Sequence, residues 1–488
     1  MTVAEPVPPA ETQRALRNVG AVTLATVISK GLFFLWQLTL ARLLGETGYG
    51  LYGTIGAFFA IGAALNSFGT ATIIVREVAR QPRLAGDYLG LALWLRSGLA
   101  LIAWLLLNGA AYFAGYDGGL RALLALASIN LLVDTLGTIC FEVLQAQERM
   151  RTTSLVTVLH VLLLIVLAAG ALAAGGGLSG LYLATITAGL ARAVMLWAPL
   201  LSAGVRPGRP RMDLAGSLLG SSLPLAVTGM LSLAWMHADK LLSTRLLDAQ
   251  ATGWLMAAFV IVFGIIELLG TTVLMSLLPV MARHSGVTLH RITWRLARLT
   301  LLAGLPLTLL LTLFAPELTV PLFGTGYALT AELLRVMVWY ALFRLVADVY
   351  IQALIISNRQ GHVMLTSATG LLLNLALNVL LLPRLGVQGA AIAALVSMLL
   401  ALVLLFCSTP APAWRPLLMN GAPLLLPALA MALVMSLVAA LWSPLAGMIA
   451  GALLYGVGLT RILDDGDRAL LDNLYRLLPP RLRLRTMR

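Results

Sequence analysis

The stretch RLLGETGYG at residues 42–50 returns as RLLDAQATG at residues 245–253, an offset of 203 positions. Each copy reads Arg-Leu-Leu, five further residues and then Gly. The same offset relates Ala79-Arg80 to Ala282-Arg283. Three matched features at one offset predict an internal repeat, although similar turns also recur independently in chains with many membrane helices.

The composition is that of a chain embedded in lipid. Of the 488 residues, 60% are hydrophobic and 11% are charged, and the mean hydropathy is +0.94. Soluble globular domains carry roughly 25% charged residues. Long apolar runs such as 162–178 and 431–442 suit helices that cross a bilayer, which need about 20 apolar residues. The alternating strands of a membrane barrel are missing from the sequence. These features predict an all-α integral membrane protein.

The apolar runs predict fourteen spanning helices, at 18–41, 49–75, 90–114, 122–145, 154–175, 180–203, 214–241, 253–281, 297–315, 331–357, 361–382, 387–407, 418–440 and 446–462. The repeat offset corresponds to six helices, so the first six and the next six are predicted to be parallel copies related by a pseudo-two-fold axis. The predicted organisation is therefore a disordered tail, a first lobe, a second lobe, two extra helices and a basic amphipathic tail, at 1–14, 15–205, 214–407, 418–462 and 463–488.

The basic residues orient the predicted helices. If the N-terminus is cytoplasmic, most of the 33 Lys and Arg residues fall in cytoplasmic segments. This bias is the positive-inside signal, and it predicts that both termini lie in the cytoplasm. The formal net charge of +13 is explained by topology and requires no nucleic-acid partner. The Arg- and Leu-rich C-terminal tail further predicts an interfacial helix attracted to anionic membrane lipids, or else a disordered basic end.

Three segments resemble the polysaccharide transporter family. Residues 41–80 follow its pattern of R-L-L-G, Y-G-x-Y, a helix of small residues and R-E-x-A-R. Asp239-Lys240-Leu241-Leu242 with Gly253 and Trp254 are similar to the second-half signature, from which Leu255 departs because Tyr is common there. Residues 374–397 resemble a further helical hairpin of the family.

The resemblance implies a flippase for lipid-linked oligosaccharides, related to O-antigen flippases and more remotely to lipid II flippases and multidrug exporters. In that superfamily two six-helix lobes surround a central cavity. The implied substrate is a polyprenyl-pyrophosphate oligosaccharide, the implied location is the cytoplasmic membrane, and the implied partners are glycosyltransferases or a polymerase of the same pathway. No cofactor is implied.

The sequence gives little support to an enzyme. The five histidines are scattered, with no Ser-His-Asp order and no metal-ligand spacing. The longest predicted outer segment, at 316–330, holds a single acid, Glu317. Cys140 and Cys407 both lie in apolar segments and are predicted to be packing residues.

Charges inside the predicted helices are the candidate site residues, because each costs a few kcal/mol at the bilayer centre unless it faces a partner or water. Lys30 lies near the middle of the first helix. It is a candidate cavity residue for the pyrophosphate, with snorkelling or a structural pair as the alternatives. Lys240, Arg192 and Arg344 are the other candidate substrate contacts.

Four acids are candidates for ion coupling. Asp134 lies at the same predicted depth as Arg192, so the two predict an ion pair that is structural or functional. Asp348 lies four residues after Arg344, where opposite charges can pair on one helix face. Asp239 is adjacent to Lys240 and cannot simply pair with it, and interfacial anchoring is the alternative for both. Glu267 is predicted to bind a coupling ion, to pair with Lys30 or to make a structural hydrogen bond.

Two rival functions remain open at this stage. A multidrug or cation antiporter of the same superfamily would favour an acidic cavity, in which the acid Glu267 matters and Lys30 does not. A membrane scaffold of a glycan-synthesis complex would transport nothing and would tolerate neutralisation of the embedded charges.

Overall fold

The computed structural model describes residues 9–270, 281–419, 422–464 and 466–468. Within these ranges the chain is helical and contains no strand. Eleven helical segments are long and apolar enough to cross a membrane, and two further apolar helices are shorter. One of the eleven, Leu24–Arg80, contains two of the predicted helices, so the segments correspond to the fourteen predicted ones. The prediction of an all-α membrane protein is confirmed.

The helices have the following bounds in chain order: α1 Pro9–Ser67, α2 Thr70–Arg80, α3 Ala85–Phe113, α4 Gly118–Ser128, α5 Asn130–Ala146, α6 Met150–Ala173, α7 Gly177–Ser202, α8 Met212–Leu246, α9 Ala249–Ile265, α10 Gly286–Leu313, α11 Ala315–Phe323, α12 Ala328–Ile356, α13 Gln360–Leu385, α14 Val387–Ser408, α15 Arg415–Met419, α16 Ala422–Leu441 and α17 Pro444–Ile462. A π-helical turn, Ile266–Gly270, follows α9.

The chain forms two compact units. Unit 1 comprises Met1–Leu44 and Leu51–His237, and unit 2 comprises Gly45–Gly50 and Ala238–Arg488. The division falls inside α8, whereas the repeat predicts a boundary in the loop before that helix. The boundaries of the two predicted lobes therefore stay a prediction.

Unit 1 is held together around α5, which packs against α2, α3 and α7. Its core contains aliphatic side chains from each of these helices, among them Ile74, Leu89, Ile139 and Leu196. Branched and long aliphatic residues fill such an interface closely because they interdigitate with few voids.

Unit 2 is built around α12, which packs against α9, α10 and α14. Leu334, Met337 and Val338 on α12 are completely buried. The last two helices, α16 and α17, both contact α10, and they pack closely against each other. On α17, Gly451 allows this close approach, since a Cβ there would overlap the side chain of Met435.

Single residues with positive φ separate helices that the sequence suggested were joined by loops. The first two predicted helices form one element, α1, interrupted only at Gly45, where φ is 65°. The second predicted helix ends early, at Phe68 and Gly69, whose φ values are 46° and 66°. Glycine adopts such a conformation without steric strain, which explains why Gly45 and Gly69 lie at the breaks. The fourth predicted helix is divided at Ile129 into α4 and α5, but here φ is −56°, so this break does not involve a positive φ.

Four other expectations differ from the structure in detail. Helix α1 begins at Pro9, so residues 9–14 are helical rather than disordered; Pro suits the first helical position because it lacks an N–H that would be unpaired there. Helix α10 begins at Gly286, eleven residues before the predicted start at 297. The polar segment with Arg291 and Arg295, which was predicted to precede the helix, is part of it. Helix α9 begins at Ala249, where the Asp248 side chain caps it. Much of the predicted outer segment 316–330 is helical, in α11.

The start of the C-terminal tail is anchored to α10. Arg298 Nη1 lies 2.9 Å from Asp467 Oδ2 and 3.2 Å from Asp464 Oδ2. Burial raises the pKa of Asp467, although the Arg298 charge opposes this shift. The predicted amphipathic helix beyond residue 468, and the first eight residues of the predicted N-terminal tail, lie outside the described residues.

The two copies of the repeated stretch contact each other inside unit 2. A Cβ on Gly50 would overlap the carbonyl oxygen of Ala249, and a Cβ on Gly253 would overlap that of Glu46. In each copy the ninth residue, a glycine, therefore meets the fifth residue of the other copy. Gln250 Nε2 also donates to Glu46 Oε1 at 3.1 Å. The two copies therefore cross with their backbones in contact, and each copy supplies one of the two glycines at this crossing.

Candidate functional site

Lys30 lies in the apolar part of α1, and its side chain is exposed. On the same helix Val27 and Phe33 are 63% and 42% exposed. An exposed side chain on a spanning helix faces lipid or an aqueous opening. Because a charge in lipid is unfavourable by a few kcal/mol, an exposed lysine here favours an aqueous opening or a polar partner over lipid.

Glu267 lies in the π-helical turn Ile266–Gly270 that interrupts the helix begun by α9. Its side chain is exposed, unlike those of the other three acids predicted to couple ions. A π-helical turn is energetically unfavourable relative to a regular α-helix, and such turns occur frequently at functional sites. The structure therefore places this acid at a local irregularity of an apolar segment.

Asp239 is 3% exposed and accepts two amide hydrogen bonds from α13. Asn374 Nδ2 donates to its Oδ1 at 2.9 Å, and Asn378 Nδ2 donates to the same atom at 2.6 Å. The two asparagines are four residues apart, so they share one face of α13. The carboxylate is thus held by α8 and α13 together and is buried inside unit 2.

Lys240 is 2% exposed and points to a different set of partners. Its Nζ lies 4.7 Å from the ring centroid of Phe259 and 5.4 Å from that of Phe263. The two rings stack on consecutive turns of α9, with centroids 5.2 Å apart. A buried ammonium against two ring faces forms a cation–π contact that joins α8 to α9. In this conformation the residue is enclosed by protein.

The predicted ion pair of unit 1 is present. Arg192 Nη1 donates to Asp134 Oδ1 at 2.7 Å, and both side chains are partly buried. The pair joins α7 to α5. Whether either residue contacts a substrate or an ion stays a prediction.

The predicted ion pair of α12 is also present. Arg344 Nε donates to Asp348 Oδ1 at 2.9 Å, and the two side chains are partly buried. The charges neutralise each other on one helix face, as their spacing predicted. A role of either residue in transport likewise stays a prediction.

The sequence reasoning missed the most buried ion pair among the described residues. Arg96 on α3 is 1% exposed and Glu142 on α5 is 4% exposed. Arg96 Nη1 and Nη2 donate to Glu142 Oε1 and Oε2 at 2.9 and 3.0 Å, and Arg96 Nε donates to Thr70 Oγ1 at 2.8 Å. The sequence feature that could have indicated the pair was an arginine, Arg96, within an apolar run. Its partner lies 46 positions away near the end of a predicted helix, which concealed the pair.

The described residues contain no group of three or more His, Cys, Asp or Glu side chains placed to hold a metal ion. The candidate residues divide between the two units. Unit 1 contains Lys30 and the Asp134–Arg192 pair, and unit 2 contains the remaining candidates.

The fold, with ionisable side chains embedded in apolar helices, is similar to that of several membrane transporters of known structure. The structure is similar to that of a lipid II flippase MurJ in an inward closed conformation, with a TM-score of 0.75, 14% identity and coverage of 92% of this chain and 99% of that chain. It is also similar to a multidrug resistance MATE family transporter in an inward-facing conformation, with a TM-score of 0.61, 15% identity and coverage of 79% and 93%.

A third similar structure is a transporter of the multidrug/oligosaccharidyl-lipid/polysaccharide (MOP) superfamily from Pyrococcus furiosus, with a TM-score of 0.53, 14% identity and coverage of 80% and 94%. At these identities the likeness establishes the fold. Residues 15–285 match the family described as polysaccharide biosynthesis protein. This match spans more than half of the chain, so the chain belongs to that family. No curated protein matches the sequence significantly.

Proposed function

We propose that the protein is a flippase that moves a polyprenyl-pyrophosphate oligosaccharide from the inner to the outer leaflet of the cytoplasmic membrane. It would work by alternating access, for the biosynthesis of a cell-surface polysaccharide. The observation that carries the proposal is the exposed Lys30 in the apolar part of α1. Membership of the polysaccharide biosynthesis family and a fold similar to that of a lipid II flippase support it.

The chemistry of the substrate suits a lysine at this position. A pyrophosphate carries its negative charge on oxygens that bind a compact ammonium group well, and the lysine stem lets this group follow a moving ligand. The polyprenyl tail can stay in lipid while the charged headgroup and the glycan avoid it. The arginine distribution supports the accompanying proposal that both termini are cytoplasmic, where pathway glycosyltransferases or a polymerase would meet the protein.

The geometry also ranks the predicted coupling residues. Asp134 and Asp348 are each neutralised by an arginine within 3 Å. Glu267 is exposed on a π-helical turn, where a cation can reach its carboxylate, and Asp239 accepts hydrogen bonds from the amides of Asn374 and Asn378. We infer that Glu267 and Asp239 are the better candidates for binding a proton or sodium ion that drives the cycle.

The first prediction concerns the charge of Lys30. Purified protein is placed in vesicles with the lipid-linked oligosaccharide in both leaflets, and an impermeant glycosidase digests the exposed sugar. We expect Lys30→Gln to slow the second phase of digestion, which requires flipping, by about tenfold or more, because hydrogen bonds to charged groups contribute roughly 1.5–3 kcal/mol. Lys30→Arg keeps the charge and should retain most of the rate.

Equal rates for wild type, Lys30→Gln and Lys30→Arg would contradict a cationic contact with the headgroup. The same vesicles separate the rival functions. A multidrug or cation antiporter would leave the inner sugar protected but would accumulate cationic dyes in response to an ion gradient. A scaffold would do neither.

The second prediction concerns coupling. An imposed proton or sodium gradient should accelerate flipping by the wild type, and Glu267→Gln or Asp239→Asn should remove this acceleration because each loses the negative charge that binds a cation. Glu332→Gln is the matched control, since Glu332 is also exposed and accepts a bond from Gln388 Nε2. Acceleration that persists in both variants and in the control would exclude these acids as coupling sites.

A further inference from the structure

A cavity of about 180 Å³ opens at the end of unit 2 where α12 and α14 finish and α10 begins. Its polar lining consists of His290, Thr293, Ser357, Arg359 and Thr409, and the rest of the lining is aliphatic. No aspartate or glutamate lines it. The site therefore offers positive charge and hydroxyl groups but no carboxylate ligand for a cation.

The polar groups are only partly used by the protein. His290 Nδ1 is buried and has no hydrogen-bond partner among the described residues. Arg359 Nη1 donates to the Ser408 carbonyl at 3.2 Å, whereas a guanidinium has five N–H groups to donate. The hydroxyls of Thr293 and Thr409 donate to carbonyls of their own helices, those of Leu289 and Leu405. Of the nitrogen groups in the lining, Arg359 and His290 thus keep N–H positions that can donate to a ligand, beside the Ser357 hydroxyl.

The internal repeat allows the end of unit 2 that contains the cavity to be compared with the corresponding end of unit 1. We call each of these ends a corner. Arg149 in unit 1 and Arg359 in unit 2 each directly precede a helix and follow a residue with positive φ, Glu148 and Asn358. Arg149 Nη1 donates to the Pro199 carbonyl at 2.7 Å, as Arg359 does to that of Ser408. The two arginines therefore have the same structural role in their units.

The corner of unit 1 is closed by a loop. Gly208 N donates to the Gly86 carbonyl at 2.8 Å, and a Cβ on Gly90 would overlap the carbonyl oxygen of Gly208. Between these glycines, Asp87 pairs with Arg211 at 3.4 Å. A Cβ on Gly86 would also overlap the carbonyl oxygen of Arg206, so the loop approaches α3 closely at two glycines.

The residues 203 positions later differ in both respects. Leu289 and Thr293 take the places of Gly86 and Gly90, so a loop cannot approach α10 in the same way. His290 takes the place of Asp87, so an imidazole replaces a carboxylate. At the corresponding place in unit 2, residues 409–413 line the cavity together with α10, and the lining holds no carboxylate.

We propose that this cavity binds the phosphate group of an anionic ligand between Arg359 and His290. Arginine binds phosphate oxygens through two parallel N–H groups, and a histidine N–H adds a third donor. The aliphatic part of the lining suits the carbon atoms next to the phosphate of a phospholipid headgroup. The arginine distribution predicts that this end of unit 2 lies at the cytoplasmic surface, where anionic lipids are available. Free phosphate offers the same chemistry without the carbon atoms.

The test compares thermal unfolding of the full-length protein in nanodiscs of phosphatidylcholine alone and with phosphatidylglycerol added. We expect phosphatidylglycerol to raise the unfolding temperature of the wild type, and Arg359→Gln and His290→Asn to lose this increase. Arg149→Gln is the matched control, because it removes the equivalent hydrogen bond in unit 1, from Arg149 to the Pro199 carbonyl. This variant should keep the increase in unfolding temperature. Adding inorganic phosphate to the phosphatidylcholine discs tests whether free phosphate binds as well as the headgroup of an anionic lipid.

An increase with inorganic phosphate equal to that with phosphatidylglycerol would assign the site to free phosphate, and a smaller one would assign it to the lipid. An increase that survives in both cavity variants would overturn the proposal, as would no increase in the wild type with either ligand. If Arg359→Gln fails to fold, His290→Asn decides alone, since His290 makes no hydrogen bond through Nδ1 that the fold would lose.

Discussion

Replacing Arg96 by Leu is expected to lower the free energy of unfolding by about 3–5 kcal/mol, the range for breaking a buried ion pair from one side. The substitution leaves the Glu142 carboxylate, which is 4% exposed, without its two charged hydrogen bonds. It also removes the donors that reach Thr70, so the contact of α3 with both α2 and α5 is weakened. The measurement is unfolding of the purified variant in detergent, together with the yield of folded protein.

The double variant Arg96→Leu/Glu142→Leu provides the control for this effect. It removes the uncompensated charge along with the pair, so it should be markedly more stable than Arg96→Leu alone. The surface pair Arg76–Glu77 offers a second reference, since breaking an exposed pair changes stability by about 1 kcal/mol or less. Equal losses for Arg96→Leu and Arg76→Leu would contradict a structural role for the buried pair.

Alanine at Gly50 or Gly253 is expected to destabilise the protein by about 1–3 kcal/mol, the usual range for overpacking. Each Cβ would overlap a backbone carbonyl of the other copy of the repeat, and a backbone atom cannot move away as a side chain can. Once one alanine has opened the crossing, the second should add less than the first.

The matched control is Gly56→Ala, because Gly56 is also helical and a Cβ there meets no atom within 4 Å. Alanine in place of an unhindered helical glycine stabilises by roughly 0.5–1 kcal/mol. The sign of the change therefore distinguishes the positions: the unfolding temperature should rise for Gly56→Ala and fall for Gly50→Ala and Gly253→Ala. The same sign at all three positions would show that the crossing does not constrain the fold.

Much of the fold followed from the pattern of apolar runs, because each spanning helix must satisfy its own backbone in lipid. The breaks did not follow, because a single positive φ at Gly45 or Phe68 interrupts a helix without leaving a polar loop in the sequence. The sequence showed the repeat only as matching residues at one offset. Its physical reason, a backbone contact between Gly50 and Ala249, required the structure.

The candidate site was predictable where partners are close along the chain or lie at one depth, as for Arg344 with Asp348 and Arg192 with Asp134. Partners that depend on packing between distant helices were not predictable. Asp239 accepts hydrogen bonds from residues more than 130 positions away, and the sequence gives no indication of that contact. Composition likewise gave no reason to expect a cavity beside His290.

The proposed function is tested most directly by flipping in vesicles that contain the purified wild-type protein and a polyprenyl-pyrophosphate oligosaccharide in both leaflets. An impermeant glycosidase reaches only the outer sugar unless the lipid crosses the bilayer, and the result does not depend on the orientation of the protein. A flippase predicts complete digestion with protein and a protected inner pool without it. A protected inner pool that persists with folded protein, across several glycans and under imposed ion gradients, would contradict the assignment.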